Sequence, residues 1–189
     1  MTAPSPWLLR WAHLIAPGGA VLDVAAGSGR HTTWLAGRGY TVTAIDRDGE
    51  AMRALAARAE VVVADLEAGP WPLAGRSFDA LVVTNYLWRP LFTTLAAALA
   101  PGGVLLYETF AAGNDSVGRP ARREFLLDRG ELLAAFAGLR IVAFEDGFLT
   151  DPERFVQRLV AVREPVAPSP VRYPLAAPGG TGGSADPAR

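Results

Sequence analysis

Three apolar stretches of this chain each end in residues able to hold a polar ligand. Residues 21–30, Val-Leu-Asp-Val-Ala-Ala-Gly-Ser-Gly-Arg, run from a buried-strand pattern into Gly27 and Gly29 and then into a helical pattern. Glycine lets the backbone pass close to a ligand with no Cβ in the way, and the free N–H groups at a helix start favour an anion. Taken alone, this turn also fits a tight strand–helix connection in any doubly wound protein. Asp46 closes a second, β-branched run at 41–45, where a carboxylate can accept from both hydroxyls of a ribose. It would otherwise cap the following helix, but Asp48 is the better placed cap and leaves Asp46 free. Asp65 follows a third run at 61–64, and an acceptor beside a backbone N–H suits an adenine edge with its amino group. A solvated loop carboxylate is the plainer alternative for Asp65, and three such ends in register weigh against it.

Composition removes many chemistries. The chain has no cysteine and no lysine, so all 18 basic residues are arginine. Thiolate nucleophiles and thiolate metal sites, Schiff bases and a lysine-ended phosphate loop are therefore excluded. His13 and His31 lie in separate segments and cannot form a histidine-rich metal site, so no metal is expected. A net charge of −1 offers no basic field for nucleic acid. No apolar run approaches a membrane span, and Arg10 and His13 interrupt the first apolar stretch, so a cytoplasmic protein with no membrane partner is expected. The arginine and alanine bias fits a GC-rich coding sequence, and a bacterial setting is expected with it.

These residues need a frame, and 189 residues suit one domain. Strand patterns at 21–25, 41–45, 61–64, 78–84 and 104–108 alternate with helical patterns at 31–38, 51–59 and from Pro90 through Leu91, Leu95 and Leu99. Asp128 and Glu131 form a capping-box pattern for a further helix closed by Gly138. Two last strands, 139–144 and 155–162, are joined by a loop at 146–151. The expected fold is an α/β, Rossmann-like, doubly wound and mostly parallel seven-stranded sheet with a C-terminal antiparallel hairpin. Residues 1–164 form the domain. Residues 165–189, with six prolines and four glycines, form a flexible tail.

The ordered set Asp23-x-x-x-Gly27-x-Gly29, Asp46, Asp65-Leu66, Phe78-Asp79-Ala80-Leu81 leading to Asn85-Tyr86, and Pro101-Gly102-Gly103 resembles the class I S-adenosylmethionine-dependent methyltransferases. The resemblance runs from about Trp7 to Glu164. A dinucleotide-binding dehydrogenase fits less well, because Thr32 stands where its third glycine belongs. The resemblance implies S-adenosylmethionine as cofactor. Ala25, Gly27 and Gly29 would lie against its methionine part, with Asp23 helping through water or the turn backbone. Asp46, with Arg47 beside it, would hold the ribose, and Asp65 and the Leu66 backbone the adenine. Asn85 and Tyr86 would line the site near the transferred methyl. Within the family the chain is most similar to the tellurite-resistance type, through Gly29-Arg30, 125–127 and Gly130-Glu131-Leu132. That type carries a His-Arg pair at the hairpin turn, and this chain has no histidine there, though Arg154 and Arg158 are near.

The expected reaction is displacement at a sulfonium methyl, in which the protein mainly aligns donor and acceptor. Tyr86 or Glu108 would take any proton the acceptor loses. Arg119, in a basic loop whose Arg122 and Arg123 face solvent, would position an anionic or oxygen-rich small-molecule acceptor. Trp7 and Trp11 suit a helix docking on the sheet better than a lid. His31 would approach the cofactor carboxylate or lie at the surface, and His13 would be structural or exposed. Trp88 and Arg89 would wall the acceptor pocket or pack a helix start. A monomer or homodimer is expected. The two rival readings are a macromolecular acceptor and a protein that binds the cofactor without turnover.

Overall fold

The computed structural model describes residues 3–177. Its strands are β1 (Ala20–Val24), β2 (Thr41–Asp46), β3 (Glu60–Val63), β4 (Phe78–Thr84), β5 (Leu99–Phe110), β6 (Arg140–Thr150) and β7 (Glu153–Val162). Its α-helices are α1 (Pro6–Trp11), α2 (Arg30–Ala36), α3 (Gly49–Leu55), α4 (Phe92–Ala97) and α5 (Glu131–Ala135). One sheet has the order β3-β2-β1-β4-β5-β7-β6. The first five strands are parallel, and β7 runs antiparallel between β5 and β6.

Alternation along the central strands divides the core. Leu22, Val24, Leu81, Val83, Leu105 and Tyr107 face one side, where Leu95 of α4 and Leu132 and Phe136 at α5 cover them. Val21, Ala80, Val82, Val104, Leu106, Val160 and Val162 face the other, under Trp7, Leu8 and Trp11 of α1 and Leu35 of α2. Strands covered on both faces read as continuous apolar runs, as β4 does. Trp7 and Trp11 are buried in an edge-on pair, and Trp7 Nε1 donates to the Leu159 carbonyl, so they dock a helix on the sheet.

Several boundaries differ from the sequence reading, and three of the differences change local pairing or capping. Leu99 starts β5 rather than ending α4, and Pro101-Gly102-Gly103 lies within the strand at a register slip against β4. Gly102 N–H and Gly103 C=O pair with Arg163, so edge pairing with β7's continuation extends the strand past its turn-forming residues. The hairpin turn lies at Asp151–Pro152, not 146–151, because 146–150 stay paired with 153–157. At α5 the N-cap is Gly130. Only half of the expected capping box forms, with Asp128 N–H donating to Glu131 Oε2 while the Asp128 carboxylate turns to Arg123.

The stretch 165–177 has no helix or strand, but Tyr173 packs on the α1 face and His13 Nε2 lies 3.0 Å from the Pro174 carbonyl. The rest of the expected tail, 178–189, lies outside the described residues. Among the described residues no helix is long and apolar enough to cross a membrane, and no group of three or more His, Cys, Asp or Glu side chains could hold a metal ion.

Candidate active site

The C-terminal ends of β1, β2, β3 and β4 open onto one cleft of about 340 Å³. Ala25, Asp46, Arg47, Asp65, Leu66, Asn85 and Tyr86 line it, all of them expected from the sequence, and Ala64 and Glu67 join them. The last two were not singled out, although they flank Asp65 on the same loop. Doubly wound sheets bind ligands at such strand ends, where the strand order reverses. Here the reversal falls between β1 and β4, which are adjacent in the sheet but not in sequence.

Of the expected glycine-turn residues, Ala25 lines the cleft, and Gly27 and Gly29 are not part of its lining. Ala25, Gly27 and Gly29 all have positive φ, at 53°, 55° and 75°. A Cβ on Gly27 would meet nothing within 4 Å, so that side of the turn is open for a ligand to approach. Asp46 is less free than expected. Its Oδ2 accepts from Gly27 N–H at 2.8 Å and its Oδ1 from Asp48 N–H at 2.9 Å, while Asp48 caps α3 through Glu50 and Ala51. The carboxylate therefore fastens the β2 end to the glycine turn and keeps lone pairs for a ligand. Asp65 Oδ1 accepts from Glu67 N–H at 2.9 Å, an Asx turn that shapes the β3 loop. Asn85, at φ 55°, donates its N–H to the Glu108 carbonyl, and Tyr107 Oη donates to the Tyr86 carbonyl at 3.0 Å.

Asp23 lies beneath the turn rather than in the cleft. It is 1% exposed, and its Oδ2 accepts from the N–H and hydroxyl of Thr32 at 2.9 and 2.6 Å, pinning the first turn of α2. His31 is buried and reaches neither the surface nor the cleft. Its Nε2 accepts from Ser5 N–H at 3.2 Å, which puts the ring proton on Nδ1, 3.2 Å from the Thr84 hydroxyl and 4.0 Å from Asp23 Oδ1.

Glu108 departs furthest from its expected role. It is fully buried and does not line the cleft. Ser5 Oγ donates to its Oε1 at 3.0 Å, and Arg154 Nη2 lies 3.4 Å away. Arg158 Nε lies 2.8 Å from Oε2, a charge contact whose N–H is not aligned as a hydrogen bond. Glu108 of β5, Arg158 of β7 and Glu145 of β6 stand opposite one another across three strands. The sequence hid this ladder because the partners are far apart along the chain. Arg119 is exposed and has no ion pair among the described residues, whereas Arg122 and Arg123 pair with Glu124 and Asp128. Arg89 clamps the segment between β5 and α5 by binding Glu131 and the Glu124 and Leu126 carbonyls. Trp88 is half-buried and packs on the α4–α5 side of the core.

Asp23 and His31 titrate in opposition. Burial pushes Asp23 up from 3.8 to about 6, against the Thr32 hydrogen bonds and the Arg30 charge, with a smaller upward push from Asp46. Burial, then Arg30, pushes His31 down from 6.5 to about 4. Between about pH 4 and 6 the unfolded chain holds its proton on His31, and the folded chain holds it on Asp23. Equal proton counts make the two contributions cancel, although each alone amounts to about 3 kcal/mol. Asp23→Asn leaves the histidine contribution, so relative to wild type stability should fall as pH drops from 6.5 towards 4. His31→Asn leaves the carboxylate contribution, so relative stability should rise from pH 6 towards 3.8. Urea midpoints across this range test both slopes, and variants that run parallel to wild type would refute the opposition.

The methyltransferase-domain family matches residues 21–103, which run from β1 into β5. No curated protein sequence matches the chain. Among solved structures, a methyltransferase from Methanosarcina mazei described as S-adenosylmethionine-dependent superposes with a TM-score of 0.68 at 19% identity, covering 87% of this chain and 100% of that one. TehB from Haemophilus influenzae superposes with a TM-score of 0.67 at 19% identity, covering 81% of this chain and 60% of TehB, so the chain spans about three-fifths of TehB. The glycopeptide N-methyltransferase MtfA, in complex with S-adenosylhomocysteine, gives 0.58 at 19% identity, covering 80% of this chain and 85% of that one. The superpositions give the chain the fold of these methyltransferases, and residues 21–103 match the methyltransferase-domain family. Its solved neighbours include TehB and a second, TehB-like methyltransferase from Corynebacterium glutamicum.

Proposed function

We propose that the chain transfers a methyl group from S-adenosylmethionine to a small-molecule acceptor. The observation that carries this reading is the cleft into which four strand ends bring Ala25, Asp46, Asp65 and Asn85, with open space at the following Gly27. The residues fit the cofactor's parts: Asp46 for the ribose hydroxyls, Asp65 and the Leu66 N–H for adenine, and Gly27 to Gly29 for the amino-acid end. When bound, the cofactor supplies an electrophilic sulfonium methyl. The chain's own contribution is to fix the turn through Asp23 and Asp46, orient the ligand and exclude water.

A second cavity of about 340 Å³ lies past the end of β5, lined by Ala111, Leu127, Arg129, Asp146, Phe155 and Gln157. Its volume suits a small molecule. Arg129 lines it and Arg119 does not, so Arg129 is the better placed arginine for an oxygen-rich acceptor.

Release of S-adenosylhomocysteine across a panel of small anionic and hydroxylated acceptors, with protein and RNA alongside, tests the reading. Turnover with a small molecule is expected. Turnover with a macromolecule alone would shift the reading to that class, and binding without turnover on the whole panel would favour a non-catalytic role.

A further inference from the structure

The Tyr86 hydroxyl is buried and has no hydrogen-bond partner among the described residues, although its half-buried ring lines an open cleft. This is not the result of a loose side chain. The left-handed turn at Asn85, the Asn85 N–H bond to Glu108 and the Tyr107 hydroxyl on the Tyr86 carbonyl fix the backbone that carries it. A buried hydroxyl left unpaired costs free energy in the free protein. A ligand atom at that point would recover it.

The surroundings say which kind of atom. Burial, then the Glu67 and Asp65 carboxylates, push the phenol well above its usual range, with Asp46 adding to them and Arg47 opposing. The hydroxyl therefore stays protonated, and its ring shares the cleft with Asp46, Asp65 and Glu67 from the loops after β2 and β3. Asp46, Asp65 and Glu67 repel a carboxylate there, so the amino-acid end of the cofactor is a poor match. Those acids serve ligand donors, and Tyr86 offers a neutral donor to a ligand acceptor. A nucleoside presents hydroxyl and amino donors beside ring-nitrogen and ribose-oxygen acceptors.

We infer that Tyr86 recognises the nucleoside half of the cofactor, donating its hydroxyl to a base nitrogen or a ribose oxygen, rather than assisting at the transferred methyl. The inference rests on the proposed cofactor cleft and assigns Tyr86 a binding role in place of the proton-accepting one expected from the sequence.

Calorimetry of Tyr86→Phe with S-adenosylhomocysteine and with adenosine tests it. Both ligands should bind roughly tenfold more weakly, by the same factor. The ligand-free variant should melt at or above the wild-type temperature, because an unpaired buried hydroxyl has been removed. Weakened S-adenosylhomocysteine binding with unchanged adenosine binding would place the hydroxyl at the amino-acid end and overturn the inference. Unchanged binding of both ligands would overturn it, and a lower melting temperature in that case would mark the hydroxyl as structural. Failure of wild-type protein to bind either ligand would instead refute the cofactor cleft itself, and the inference with it.

Discussion

Replacing Asp46 with alanine should weaken S-adenosylhomocysteine binding by about 2–4 kcal/mol, roughly thirty- to a thousandfold. Two losses combine. The first is the charge-assisted acceptor offered to the ribose hydroxyls. The second is preorganisation, since the same carboxylate holds Gly27 N–H at 2.8 Å and Asp48 N–H at 2.9 Å. Asp46→Asn helps to separate them. It keeps one carbonyl acceptor, but its amide nitrogen opposes whichever backbone N–H it faces, so an intermediate loss is expected. Melting temperatures without ligand report the turn alone. Calorimetry showing wild-type affinity for Asp46→Ala would remove Asp46 from the cofactor site.

Much of this site is legible along the chain because its parts are local. A glycine turn, or an acid at the end of an apolar run, is specified by a few consecutive residues. Asp46, Asp65 and Ala25 line one cleft, and Gly27 N–H binds Asp46. The misreadings occur where distant segments supply the partner. Glu108 closes the expected strand as an active-site acid would, yet β5 runs on to Phe110, and Arg158, Arg154 and Ser5 occupy the carboxylate from remote positions. His31 follows the glycine turn, yet Ser5 N–H and Thr84 hold it inward. Asp146-Gly147 has turn chemistry, but ladder pairing with β7 keeps it extended.

Gly27 and Gly29 look equivalent in sequence, and the structure separates them. Gly29 has φ 75° and ψ 27°, a left-handed conformation that costs a Cβ-bearing residue about 1–2 kcal/mol. A Cβ there would also overlap both methyls of Leu55 and lie 2.8 Å from its Cγ. Leu55 cannot easily swing away, because it is 3% exposed and packed with Ala26, Ala44 and Met52. Overpacking of that kind adds about 1–3 kcal/mol. Gly29→Ala should therefore destabilise the ligand-free protein by about 2–5 kcal/mol. Gly27 shares the positive φ but has open space around its Cβ position. Gly27→Ala should cost only the backbone share, about 1–2 kcal/mol, in the ligand-free protein. Its larger effect should fall on S-adenosylhomocysteine affinity, because the added methyl enters the space left for the ligand. Urea unfolding of the two variants beside wild type reads the difference directly. If Gly27→Ala loses as much stability as Gly29→Ala, the Leu55 contact does not set the cost, and the packing of α3 against the glycine turn is looser than the structure shows.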